Sequence, residues 1–149
     1  MPPFSISDDA KAELEALADW MPTSEMRQVT LYASVCTDND RFDRLQPFLE
    51  KMGLWKEDCP HSLFSIAGYG SIPKHSGFDH ILFPLSGSIT ISNTFIQPGE
   101  YMRYSTTQTF IANLDLLIVL VPEADQPDSP VPKEESPATS PTENPAQNS

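Results

Sequence analysis

From Pro60 to Val121 the chain is a run of short apolar stretches cut by turn residues, and that punctuation limits the possible folds more than any other feature. Leu63–Ala67, His80–Leu85, Ser88–Ser92, Phe95–Ile96, Tyr101–Tyr104, Thr109–Ala112 and Leu116–Val121 read as strands. Gly68, Gly70, Pro73, Ser86-Gly87, Asn93-Thr94, Pro98-Gly99 and the Asn113-Leu114-Asp115 stretch separate them. Turn signals about every 8–12 residues between such stretches indicate a β-sandwich or barrel. Strand alternation predicts that Ile89, Ile91, Leu117 and Val119 point inward.

The residues before Pro60 have a different texture. Ser7 is placed to cap a helix, Asp8 and Asp9 suit its positive end, and Ala10, Leu14, Leu17 and Met21 recur on one face until Pro22. Arg27–Thr37 alternates with period two and reads as one half-buried strand. Phe42, Leu45, Phe48, Leu49 and Met52 then follow at helical spacing, with Asp38 or Asp40 as N-cap and Gly53 after the end. Pro47 lies inside that pattern and predicts a kink or a second helix start.

Residues 122–149 hold seven prolines, six acids and one lysine, with no aromatic residue. Such a stretch buries too little apolar surface to offset the entropy of ordering, so a disordered acidic tail is expected. The division is therefore 1–60, a helix–strand–helix extension; 61–121, a β-barrel; and 122–149, the tail. The whole chain carries 21 acidic and 9 basic residues for a net charge of −12, and its Lys and Arg do not cluster. That balance excludes a nucleic-acid backbone or an anionic membrane as the expected partner. The longest apolar run is Leu116–Val121, too short to span a bilayer, and MPPFSISDDAKAELEAL does not read as a secretory signal. Cys36 and Cys59 read as reduced thiols, so a cytoplasmic location is expected. No G-x-S-x-G, H-E-x-x-H, phosphate-loop or C-x-x-C motif is present.

Residues 68–121 resemble the cupin domain, a small double-sheet jelly roll, also described as a double-stranded β-helix. HILFPLSGSITI (80–91) resembles the hairpin that ends the first cupin motif at a glycine. FIQPGEYMRYS (95–105) resembles the turn that opens the second motif, and LLIVLV (116–121) resembles the last barrel strand. The resemblance implies a mainly β fold with an N-terminal helical and strand extension. It also implies four metal-ligand positions, and these are occupied unevenly. With Gly87 as anchor, the family's Glu position falls on His80, its second His on His75 and its first His on Pro73. With Gly99 as anchor, the remaining His position falls on Phe110, and the motif's Pro and Gly fall on Ser105 and Thr107. Pro73 and Phe110 have no donor atom. Asp79 faces away from His80 on a strand, while His61, in Cys59-Pro60-His61, is a further candidate donor.

The expected function is that of a non-enzymatic cupin-like module that binds a small molecule or serves as a protein-interaction unit. The alternative is a small metal-dependent cupin enzyme, an isomerase, dioxygenase or lyase, using His75 and His80. The candidate ligand contacts are His75, His80, Tyr69, Tyr101, Arg103 and Phe110, with Arg103 free to meet a ligand carboxylate or Glu100. No cofactor is expected beyond a weakly bound divalent ion on His75 and His80. A homodimer is expected, with residues 1–60 as a helical arm.

Overall fold

The computed structural model describes residues 2–123. In chain order the elements are β1 (Phe4–Ser5), α1 (Asp8–Trp20), a 3-10 turn (Met21–Thr23), β2 (Met26–Thr30), β3 (Ala33–Cys36), α2 (Arg41–Met52), β4 (His61–Ile72), β5 (Phe78–Ser86), β6 (Ile89–Ile91), β7 (Thr94–Ile96), β8 (Glu100–Tyr104) and β9 (Gln108–Pro122). Seven strands form an antiparallel sheet in the order β1-β8-β5-β9-β4-β3-β2, and β6 and β7 form a separate hairpin. The fold is mainly β, with one large antiparallel sheet, a small hairpin and two helices.

Both helices follow their sequence signals. The Ser7 hydroxyl accepts the Ala10 N–H at 3.2 Å, and Ala10, Leu14 and Leu17 are the buried stripe of α1. Leu45, Phe48 and Leu49 are buried on α2, which continues through Pro47 and ends at Gly53 in the left-handed region. Asp38 organises the start of α2 from outside it. Its carboxylate accepts the Asp40 and Glu25 N–H groups, each at 2.9 Å, and those bonds hold its pKa below the ordinary value.

Three expectations about the strands need correction. Arg27–Thr37 is a hairpin, β2–β3, that turns at Leu31-Tyr32, two residues without the usual turn chemistry. Leu63–Ala67 does not end at Gly68, because β4 pairs with β9 continuously from His61↔Val119 to Ile72↔Gln108. For the same reason Thr109–Ala112 and Leu116–Val121 are one strand. Gly87 does turn the chain as expected, at φ 95°, and a Cβ there would lie 2.8 Å from the Asn113 carbonyl oxygen.

Residues 1–60 add strands to this sheet, since β1 pairs with β8 and β3 pairs with β4. The expected tail start at Pro122 lies two residues inside the described chain. Pro122 ends β9, and Glu123 donates its N–H to Gly77 and pairs with Lys74. The rest of that expectation lies outside the described residues. Among the described residues no helix is long and apolar enough to cross a membrane.

The sheet has two apolar faces. Ile81, Phe83, Leu85, Leu63, Leu117, Val119 and Val121 pack against α1 and α2. Leu82, Ile66, Met102, Phe110, Leu114 and Leu116 pack with Ile89, Ile91 and Ile96 of the small hairpin. So Ile89 and Ile91 point into the barrel as expected, whereas Leu117 and Val119 are buried on the helix-covered face. Leu116 and Ile118 take the inward positions between them.

Candidate functional site

The inner face is built by strand alternation, and it leaves space. On β4, β9 and β3, the residues Phe64, Ile66, Ile72, Phe110, Leu116, Ile118 and Ala33 share one face and line a cavity of about 370 Å³. A second cavity of about 180 Å³ adjoins it through Phe64, Ser71, Ile72 and Ile118, and reaches Pro73, His75 and Leu120. Gly70 makes room for one wall: a Cβ there would collide with the Phe110 ring. Val29, Leu31, Tyr32 and Tyr69 form the rim of the larger cavity.

His80 lies on the inner face of β5, opposite Tyr104 of β8 and Leu120 of β9. Its side chain is fully buried, and among the described residues neither ring nitrogen has a hydrogen-bond partner. Burial is the main reason its pKa lies below the ordinary histidine value; neighbouring His75 lowers it further, while Asp79 pulls it back up. The Tyr104 ring is 6.2 Å away, centroid to centroid, and burial raises the Tyr104 pKa. Nearby, Ser92 donates to the Gln108 side-chain oxygen at 2.8 Å and the Gln108 amide donates to the Thr106 hydroxyl at 2.9 Å, so this polar pair is satisfied within the protein.

The six expected ligand contacts fall in different places. Tyr69 and Phe110 line the larger cavity, and His75, exposed on the β4–β5 loop, lines the smaller. His80 is buried behind them, next in register to cavity-lining Leu120. Tyr101 and Arg103 do not reach this space. Met102 and Tyr104 take the inward positions of β8, so alternation turns Tyr101 and Arg103 to the other face. There Tyr101 packs on Phe83 and Phe4, each at 5.3 Å. Arg103 is engaged by Asp79, its Nε donating to the carboxylate at 2.8 Å, and not by Glu100. Asp79 and His80 therefore face apart, as their adjacency on a strand requires. His61 stacks on Trp55 at 5.7 Å and meets Phe42 edge-on at 5.7 Å.

Sequence reasoning did not pick out Phe64, Ile72 and Ile118, which form the junction of the two cavities. Their signal is the shared even parity along two long strands, concealed by Gly68 and Gly70, which look like an end to β4 after Ala67, and by Asn113-Leu114-Asp115, which looks like a break in β9. The Leu31-Tyr32 rim lies within the period-two alternation of Arg27–Thr37, which conceals the turn there.

The metal positions implied by the cupin motifs do not make a coordination sphere here. Pro73 and Phe110 supply no donor, His75 is exposed on its loop, and among the described residues no group of three His, Cys, Asp or Glu side chains is placed to hold an ion. A resident ion needs three or four such ligands. The residues present do not fit one.

No family model and no curated protein sequence matches the chain. Among solved structures, the chain is similar to the polyketide cyclase RemF from Streptomyces resistomycificus, with 16% identity, 66% of this chain and 74% of that chain covered, and a TM-score of 0.44. It is similar to an RmlC-like cupin from Shewanella frigidimarina, with 6% identity, coverage of 70% and 88%, and a TM-score of 0.43. It is also similar to a chain in the Rhodobacter sphaeroides complex of SigE with the anti-sigma ChrR, with 13% identity, coverage of 81% and 70%, and a TM-score of 0.46. The chain's own strand order defines a mainly β domain built on one large antiparallel sheet and a small hairpin, with motifs that resemble those of the cupin domain. Its inner face borders a largely apolar cavity.

Proposed function

We propose that the chain is a non-enzymatic cupin-type module whose barrel interior binds a small, mainly apolar molecule. The cavity carries this reading. Its volume of about 370 Å³ lies in the range of small-molecule sites, about 300–1,000 Å³, and its walls are Phe64, Ile66, Ile72, Phe110, Leu116 and Ile118. The Phe110 ring stands at a position where the cupin pattern has a metal ligand, so the same location offers an apolar wall. Polar atoms near the opening, from Thr30 and Ser71, suit one hydrogen-bonding group on the ligand.

A native mass spectrum of the untagged full chain, followed by titration with the apolar dye Nile red, tests the reading. The expected result is a retained organic mass or saturable dye binding, with only substoichiometric metal. Ala33→Phe, which fills the cavity from its wall, should weaken the dye at least about tenfold while leaving the circular dichroism unchanged. A stoichiometric divalent ion that disappears in the His75→Ala/His80→Ala variant would instead support the metal-dependent enzyme.

A further inference from the structure

The helix-covered side of the sheet has an opening of its own, at the end where β4 begins. Phe42 of α2, Trp55 and Pro60 of the α2–β4 loop and His61 of β4 border a cleft of about 380 Å³. Its walls are aromatic. Trp55 stacks on His61, and Phe42, 47% exposed, meets the same imidazole edge-on. Its lip is basic, on an acidic chain. Lys56 lines the cleft and forms no ion pair among the described residues, and the Arg41 guanidinium lies 4.4 Å from the centre of the Phe42 ring. Glu57 also lines the cleft, against these two cations. Burial lowers the His61 pKa, and the nearby charge of Arg41 lowers it further.

Three observations select an occupant. The first is position. Leu120 of β9 donates its N–H to the carbonyl of Pro60 in the cleft wall, and the described chain ends three residues later at Glu123. At roughly 3.3 Å per strand residue, that end stands about 10 Å from the wall. The second is residue type. Residues 124–149, which lie outside the described part of the chain, contain six prolines and begin with Pro127-Asp128-Ser129-Pro130 as their first proline pair. Aromatic-lined grooves take P-x-x-P segments, because proline packs on ring faces and its extended backbone loses little entropy on docking. Pro127 is four residues beyond Glu123, a reach of about 12 Å in that conformation, which matches the gap. The third is charge. Residues 124–149 carry five acids and one lysine, opposite in sign to Lys56 and Arg41. So short a tether also gives an effective concentration on the order of millimolar, enough for a contact that would be weak between separate chains.

We propose that this cleft is the docking site for the chain's own C-terminal segment, with Pro127 and Pro130 set against Phe42 and Trp55, and with Asp125 and Asp128 drawn to Lys56 and Arg41. The cleft is separate from the cavity on the inner face, so the contact stands whether or not that cavity takes a ligand.

Indole NMR of the full chain, isotope-labelled at its two tryptophans, Trp20 and Trp55, tests it. Trp55→Phe assigns the Trp55 signal. Pro127→Ser/Pro130→Ser changes only residues outside the described fold, yet it should shift the Trp55 signal and leave that of Trp20 in place. Melting curves should match the wild type. In a Lys56→Glu background the same proline change should shift the signal at least about fivefold less, because the contact is already released. A Trp55 signal untouched by the proline variant, or moved equally in both backgrounds, would overturn the proposal. A response that grows with protein concentration would put the segment in the cleft of a second copy and overturn it too. So would saturable binding of an added peptide of residues 122–133 to a chain whose own prolines have no effect, which assigns the cleft to a partner's segment.

Discussion

The two faces of the sheet are made of similar side chains and do opposite things. On the helix-covered face Leu45, Phe48, Leu49, Phe83, Leu117 and Val119 are all at 0% exposure. The charge at its margin, Asp79, is matched by Arg103 at 2.8 Å. On the inner face Leu82, Leu116 and Ile96 are as deeply buried, yet a buried imidazole has no hydrogen-bond partner among the described residues and a cavity of about 370 Å³ opens on the same face. The difference is one of coverage. Two amphipathic helices cover the central positions of one face, while three-residue strands β6 and β7 cover only part of the other. Close packing supplies stability on the first face, and free volume on the second leaves room for a ligand.

The strongest way to break this contrast is to truncate a matched aromatic on each face. Phe83 meets Phe48 edge-on at 5.1 Å and has no exposed surface. Phe83→Ala should cost about 3–5 kcal/mol in urea unfolding, with a cavity left in a packed core. Phe110→Ala removes the same atoms beside space that already exists, so its cost should be roughly half of that or less. Equal losses would mean that the inner face is packed as tightly as the outer one.

Next in size is the margin of the sealed face. Asp79→Asn leaves the Arg103 guanidinium short of its counter-ion, and one of its terminal nitrogens is already buried without a partner. Since Arg103 is partly exposed, the expected loss is about 2 kcal/mol, below that of a fully buried broken pair. Asp79→Asn/Arg103→Met should recover part of it, measured by the same unfolding curves. If the double variant is no better than the single, the cost does not come from the stranded charge.

The sealed face was also the more legible one. Its helices have explicit signals: Ser7 before α1, Gly53 after α2, and apolar residues at three- and four-residue spacing. The inner face is set by long-range pairing, which local residues do not announce. Gly68 and Gly70 look like strand breaks, yet twelve continuous cross-strand pairs carry β4 through them, and Gly70 is needed because Phe110 lies against it. The Leu31-Tyr32 turn has no glycine, proline or asparagine to mark it. Tyr101 and Arg103 neighbour the inner face in sequence, but Met102 between them takes the inward position and alternation turns both away. Motif spacing brings His75 and His80 together, but one lies on an exposed loop and the other is buried on the inner face.

A smaller effect sharpens the contrast at one position. Gly70→Ala puts a methyl group into contact with the Phe110 ring, which must turn toward the cavity. Because that side is open, the expected loss is about 1 kcal/mol, at the low end for overpacking, with a clear drop in Nile red binding. A loss of several times that size would show that the ring has nowhere to go.

The smallest effect concerns the sign of a contribution. His80 is buried with both nitrogens unpartnered, and its pKa is pushed below the ordinary 6.5, mainly by burial. The unfolded chain therefore binds this proton more readily than the native one. Stability from neutral His80 is fully present above about pH 6.5 and is lost as the pH falls toward and through the lower native pKa. His61 is shifted in the same direction by burial beside Trp55 and Phe42, so it adds a second loss over the same acid range. His80→Leu removes one of the two and also removes an unsatisfied polar group from an apolar environment. The variant should be as stable as wild type or up to about 1 kcal/mol more stable at pH 7.5, and its stability should fall less steeply between pH 6.5 and pH 5. Urea unfolding at several pH values measures both. A His80→Leu protein that is markedly weaker at neutral pH would mean that the imidazole is satisfied in solution, by bound water or a retained ligand, and that the inner face is less apolar at its centre than its walls suggest.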